Sequence, residues 1–215
     1  MDKLETALQQ ALGRYRADID RQDGLWDASV LVPLVDMDGV PSILFEVRAQ
    51  TLHRQPGEIC FPGGKYECKD ASFAVTAVRE TCEELGLTAS DIIVLGELDK
   101  LVTFAGLILH PFLGKLKDVG KLKISRAEVE SVFTVPLAFL LHYTPKLGYM
   151  HLGDKPREDF PFALVPQRME GWRTRKEYAV YFYEYEDKII WGLTARMLHA
   201  FLENWRQELE QLLEA

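Results

Sequence analysis

Glu80, Glu83 and Glu84 place three carboxylates within five consecutive positions, preceded by Arg79 and followed by Leu85-Gly86-Leu87. At 3.6 residues per turn they fall within about 100° of one another around a helix axis. Like charges at i,i+3 and i,i+4 spacing repel, so gathering them on one face is costly unless a cation neutralises them. A donor set made only of oxygen suits Mg²⁺ or Mn²⁺. Upstream, Phe61-Pro62 runs into Gly63-Gly64, which allow positive φ and a close approach of backbone to a phosphate. Arg48, His53, Arg54, Lys65 and Arg79 add cations around the same stretch for the phosphates of an anionic substrate. A dication held beside such a turn polarises a phosphoryl group and activates water. Hydrolysis of a phosphorus ester or diphosphate is therefore the first expectation.

Other chemistries fail on spacing. A P-loop needs G-x-x-x-x-G-K-[ST], but position 59 is Ile and Gly64-Lys65 is followed by Tyr66. A glycosidase sets two carboxyls on opposite sides of a bond, which neighbours on one helix face do not do. The histidines, at 53, 110, 142, 151 and 199, form neither HExxH nor HxH, and no GxSxG occurs.

These residues need elements to position them. Leu4, Ala7, Leu8, Ala11, Leu12 and Tyr15 predict an amphipathic helix over residues 2 to 18, with a packing role. Ala28 to Val35 and Ser42 to Arg48 read as a β-hairpin about Asp38-Gly39. A polar loop from 49 to 56 leads to a short strand, 58 to 61, that Pro62 ends in a tight, exposed Gly-Gly turn. Asp70 is expected to cap or open a helix from Ala71 to Leu85, with Gly86 in the left-handed position beyond it. Ala74, Ala77, Val78, Thr81 and Leu85 would face a sheet and the acids the loop. Strands follow at 92–95, 98–104 and 107–116. Ser125 to Glu130 reads as a capped segment with Glu128 in the capping-box position, and 136–142 as a short helix. Residues 144–172 read as an irregular connection, 177–185 as a strand, and 194 to 214 as one long amphipathic helix.

The chain has 215 residues, 47% apolar and 27% charged, with no repeat, and is expected to form one domain. Its net charge of −8 argues against general nucleic-acid binding. The start lacks a signal-peptide layout and no apolar run is long enough to span a bilayer, so a cytoplasmic protein with no membrane partner is expected. Three cysteines without CxxC spacing are expected to be reduced and mostly packed.

The stretch from Gly63-Gly64 to Arg79-Glu-Thr-Cys-Glu-Glu-Leu-Gly-Leu87 resembles the signature box of the Nudix hydrolases, G-x5-E-x7-R-E-U-x-E-E-x-G-U with U apolar. Thr81 stands at an apolar position. Asp70 stands where the box has Glu, six residues after Gly64 but nine before Arg79, so the second spacing holds one extra residue. Leu44 to Gly64 is similar to the LLTxR[SA]x3Rx3Gx3FPGG motif of coenzyme A pyrophosphatases within that superfamily. Arg48, Ala49, Gly57 and Phe61 to Gly64 fit; Phe45-Glu46 replaces Leu-Thr, and His53 with Arg54 beside it replaces Arg. The run Trp191 to Ala195 also resembles this subgroup.

The resemblance implies an α/β/α sandwich, the Nudix fold, with a mixed β-sheet and flanking N- and C-terminal helices. It implies that Glu80, Glu83 and Glu84 bind Mg²⁺ or Mn²⁺ with the Gly63 carbonyl, that Arg79 orients the carboxylates, and that a later acid, Glu128 or Glu130, joins them. The substrate is then a nucleoside diphosphate derivative, coenzyme A or its thioesters, cleaved to 3′,5′-ADP and a 4′-phosphopantetheine product. Arg48, His53, Arg54, Gly64 and Lys65 are the candidate substrate contacts. ADP-ribose or NADH as substrate, and a catalytically silent nucleotide sensor, are the alternatives. The terminal helices are a candidate homodimer contact.

Overall fold

A computed structural model describes residues 2–16, 19, 24–166 and 171–213. The first helix, α1 (Asp2–Arg14), ends before the expected residue 18. Tyr15 and Arg16 are not helical, and 17 and 18 lie outside the described residues. Gly13 weakens the last turn, and no layer covers it: Leu4, Leu8 and Leu12 are each more than half exposed. The expected packing stripe is thus not part of the core.

The strands β1 (Trp26–Met37) and β2 (Val40–Arg48) form the expected hairpin. Asp38 and Gly39 both take positive φ, 54° and 86°, the arrangement a two-residue turn needs to match strand twist. The short strands β3 (Ile59–Cys60) and β4 (Gly63–Lys65) follow, then the helix α2 (Phe73–Leu85). After it come β5 (Ile92–Glu97), β6 (Leu101–Val102), β7 (Leu107–Leu116) and β8 (Val129–Pro136), then α3 (Leu137–His142), β9 (Lys146–Asp154), β10 (Arg173–Tyr185), β11 (Lys188–Ile190), α4 (Gly192–Asn204) and α5 (Arg206–Leu213).

The main sheet runs β3-β2-β1-β7-β5, with β8 on β2, β6 on β7 and β4 on β1. It is mixed, because β1 and β7 are parallel while the other pairs are antiparallel. Alternation along the strands sends side chains to two cores. Leu31, Val35 and Leu44 join Ala77 and Leu85 of α2 and Phe112 and Leu116 of β7 on one face. Val32, Ile43 and Phe45 join Leu140 of α3 and Leu198 and Phe201 of α4 on the other. Helices therefore cover both faces, as an α/β/α sandwich requires. Among the described residues no helix is long and apolar enough to cross a membrane.

Several expectations change. Gly63 and Gly64 lie in a strand rather than an exposed turn: a Cβ on Gly63 would sit 2.4 Å from the Ser29 carbonyl oxygen, so only glycine lets β4 pair so closely with β1. The expected strand 98–104 shrinks to β6. Ser125 to Glu128 is a turn, and the run after it is the strand β8, which the capping pattern had obscured. Residues 146–154 pair with β10 from Lys146↔Phe182 to Asp154↔Arg173 instead of forming an irregular connection. The C-terminal helix starts at Gly192 and breaks at Trp205, where Arg206 turns to donate to the Leu141 carbonyl at 2.7 Å; residue 214 lies outside the described residues.

Candidate active site

The carboxylate helix α2 begins at Phe73, two residues after the expected Ala71. Its N-cap is Ser72, whose hydroxyl accepts from the Val75 N–H, and not Asp70. The extra residue between Asp70 and Arg79 is absorbed in the bend at Ala71-Ser72, so the helical spacing of the acids is undisturbed. At the far end Gly86 adopts φ 67°, as expected. Thr81 is fully buried, and its hydroxyl donates to the Ala77 carbonyl at 2.7 Å, which makes a polar residue acceptable at an apolar position.

Burial grades the three acids. Glu84 is 6% exposed on the sheet side and accepts from the Gly63 N–H at 2.8 Å. Glu80 is part-buried, with its carboxylate where a Cβ on Gly64 would lie 2.4–2.6 Å away. Glu83 stands at the rim, its side chain 56% exposed. Desolvation pushes the Glu84 carboxyl up to about 8, the charges of Glu80 and Glu128 adding to it and the Gly63 N–H opposing. Glu80 is also raised by desolvation, against the pull of Arg79.

Arg79 ties the helix to the loop before it. Its guanidinium grips Asp70 with two parallel bonds, Nε to Oδ1 at 3.1 Å and a terminal nitrogen to Oδ2 at 3.0 Å. It also donates to Glu80 at 2.7 Å, to Glu83 at 3.3 Å and to the Lys65 carbonyl at 3.3 Å. Asp70 is buried and accepts from the Thr76 hydroxyl and the Glu67 N–H as well. These bonds, with Arg79 first, hold its carboxyl well below the usual carboxylate range. The role of Asp70 as anchor for Arg79 was not read from the sequence, although its place in the box marked it.

The other candidates fall into two groups. Glu128 sits in the turn before β8, close enough for its charge to act on Glu80 and Glu84. Arg48, at the end of β2, also acts on Glu84, and its guanidinium donates to the Arg54 carbonyl at 3.4 Å. The fold thus gathers Gly63, Gly64, Arg79, Glu128 and Arg48 about the carboxylates of Glu80 and Glu84, with Glu83 at the exposed rim. Lys65 is exposed in β4; His53 and Arg54 are exposed in the loop between β2 and β3. Glu130, the other later acid, accepts from the Gln50 amide at 3.2 Å.

One residue of the site escaped sequence reading. Glu46, in the middle of β2, is 1% exposed, and its Oε1 has no hydrogen-bond partner. Its carboxyl is raised well above the usual range by burial first, then by Glu84, with Glu128 adding and Arg48 opposing. The available signal was a glutamate inside the apolar run from Ile43 to Val47 of β2. Among the described residues no group of three or more His, Cys, Asp or Glu stands in a metal-holding arrangement: Arg79 holds Glu80 and Glu83, and the Gly63 N–H holds Glu84. The donor set nonetheless fits a hard dication, being all oxygen, and Glu46 carries a buried oxygen that the protein itself leaves unmatched.

A family model described as the NUDIX domain matches residues 26–149, and the chain belongs to that family, the Nudix hydrolases. Nudix hydrolases generally use divalent metals. Nearer relatives include the Nudix hydrolase NudL of Photorhabdus laumondii, itself uncharacterized, 33% identical over 172 residues, which are 80% of this chain and 81% of the relative. The peroxisomal coenzyme A diphosphatase NUDT7 of Mus musculus is 37% identical over 132 residues, 61% of this chain and 55% of the relative. The mitochondrial coenzyme A diphosphatase NUDT8 of Homo sapiens is 39% identical over 150 residues, 67% of this chain and 63% of the relative. The chain thus matches a little over half to under two thirds of these two diphosphatases.

Proposed function

We propose that the chain hydrolyses the diphosphate linkage of coenzyme A or its thioesters, giving 3′,5′-ADP and the 4′-phosphopantetheine product, with Mg²⁺ or Mn²⁺. The observation that carries the chemistry is the meeting of Glu80 and Glu84 of α2 with Gly63-Gly64 of β4. The coenzyme A assignment is supported by the likeness to the mouse and human coenzyme A diphosphatases. In this reading Glu80, Glu83, Glu84 and Glu128 hold the cation, together with the Gly63 carbonyl. A bound dication supplies Lewis acid polarisation of the phosphoryl oxygens and lowers the pKa of water. Arg79, anchored by Asp70, keeps Glu80 and Glu83 turned to the site, and Arg48, His53, Arg54, Lys65 and the Gly64 backbone bind the substrate phosphates. The reading takes residues 1–215 as one domain, cytoplasmic, with a homodimer contact through the terminal helices.

The test is a panel of coenzyme A, acetyl-coenzyme A, ADP-ribose, NADH and diadenosine polyphosphates with Mg²⁺ or Mn²⁺. Preference for the coenzyme A compounds is expected. Preference for ADP-ribose or NADH would overturn the substrate, and no turnover of any member would overturn the enzyme in favour of a nucleotide sensor.

A further inference from the structure

We infer that Glu46 is a ligand of the divalent cation, reaching the site from the sheet beneath α2 rather than from the signature helix. This rests on the metal-dependent reading above and adds to it a residue outside the signature box, at a position where the coenzyme A pyrophosphatase motif has Thr. Its side chain leaves β2 on the same face as Leu44, which packs under α2 beside Leu85. It stands opposite Cys60 on β3 and Val132 on β8, and Val132 packs into that same layer. The carboxylates of Glu84 and Glu128 are the acidic charges that act on it. Glu46 therefore lies on the α2 side of the sheet, beside the carboxylates of Glu84 and Glu128.

A buried carboxylate oxygen with no partner costs several kcal/mol, roughly. Leu44, the neighbouring β2 position on the same face, is apolar and fully packed, so an apolar residue would suit this layer better were packing the only demand. Arg48 is the cation that acts on Glu46, yet its guanidinium donates to the Arg54 carbonyl, and Oε1 of Glu46 is left unmatched. A dication between Glu46, Glu84 and Glu128 supplies what the protein does not: a partner for Oε1 and a counter-charge for the acids.

The experiment is direct titration of the full chain with Mn²⁺, followed by the electron paramagnetic resonance of free Mn²⁺, alongside melting curves in EDTA. Glu46→Gln and Glu46→Thr should weaken Mn²⁺ binding at least about tenfold, the scale of loss when a group supporting a bound metal is removed. Glu97→Gln, the same change of charge on β5, should bind as the parent does. Without metal, Glu46→Gln should melt at or above the parent, because Oε1 makes no hydrogen bond that the change would remove. Parent-like Mn²⁺ affinity in both Glu46 variants, with binding lost in Glu84→Gln, would overturn the role of Glu46 and leave the proposed function standing. A metal-free melting temperature of Glu46→Gln below the parent's would also overturn it, as it would mark a structural carboxylate. No Mn²⁺ binding by the parent would overturn the metal-dependent reading itself.

Discussion

Replacing Glu84 by Gln should make the metal-free protein more stable at high pH while removing its activity. In the folded chain the Glu84 carboxyl is pushed up from 4.5 to about 8, chiefly by desolvation. Between those two values the folded state keeps a proton that the unfolded state has released, so stability falls as pH rises and levels off above about 8. The full displacement corresponds to at most about 5 kcal/mol, and opening of the site to water lowers that ceiling. A residual effect of about 2 kcal/mol is roughly 4–8 °C in Tm for a chain of this size. Gln keeps an oxygen for the Gly63 N–H but carries no charge. Melting of parent and Glu84→Gln in EDTA should therefore nearly coincide at pH 5 and separate at pH 9, with the variant higher. Saturating Mg²⁺ at pH 9 should raise the parent and do little for the variant. Parallel Tm profiles from pH 5 to 9 would refute the burial argument.

Other perturbations separate the parts of the site. Arg79→Lys loses the two-bond grip on Asp70, since an ammonium cannot present a planar fork; turnover should fall by about tenfold or more with KM for substrate less affected, as the carboxylates lose their orientation. Gly64→Ala puts a Cβ into the Glu80 carboxylate, which Arg79 holds in place. Mn²⁺ affinity should drop about tenfold with little change in Tm, whereas Gly63→Ala drives a Cβ into the β1 backbone and should lower Tm clearly. Cys60 is half-buried, and burial together with Glu46 and Glu84 pushes its thiol up to about 12, while Cys68 is exposed. A thiol reagent at pH 8 should modify Cys68 first, as peptide mapping would report.

The helix α2 was legible because its evidence is local: apolar positions at helical spacing, a polar entry and Gly86 at the exit. The hairpin β1–β2 was legible for the same reason, in the Asp-Gly turn. What could not be read depends on distant partners. Strand β9 carries Gly148 and Gly153 and finds its regularity only by pairing with β10, and Val129 to Pro136 becomes a strand because β2 is there to receive it. Spacing placed Glu80, Glu83 and Glu84 on one face, but not the gradient from exposed Glu83 to buried Glu84, which the sheet imposes. Glu46 was seen only as a departure from a motif, since nothing local shows that a strand residue meets a helix thirty-odd positions away. Thr194 is similar: its hydroxyl donates to the Ile59 carbonyl at 3.0 Å, so the run from Trp191 to Ala195 pins α4 to the strand that leads into Gly63.

The most direct measurement of the central claim is the fate of coenzyme A incubated with the protein and Mg²⁺ in ¹⁸O-labelled water, followed by mass spectrometry of both products. The expected products are 3′,5′-ADP and 4′-phosphopantetheine, one of them carrying a single ¹⁸O, with a rate lowered by at least roughly 10²-fold in Glu83→Gln, the scale of losing one preorganised electrostatic contact. Intact coenzyme A after prolonged incubation, or cleavage at a normal rate by Glu83→Gln, would contradict the claim.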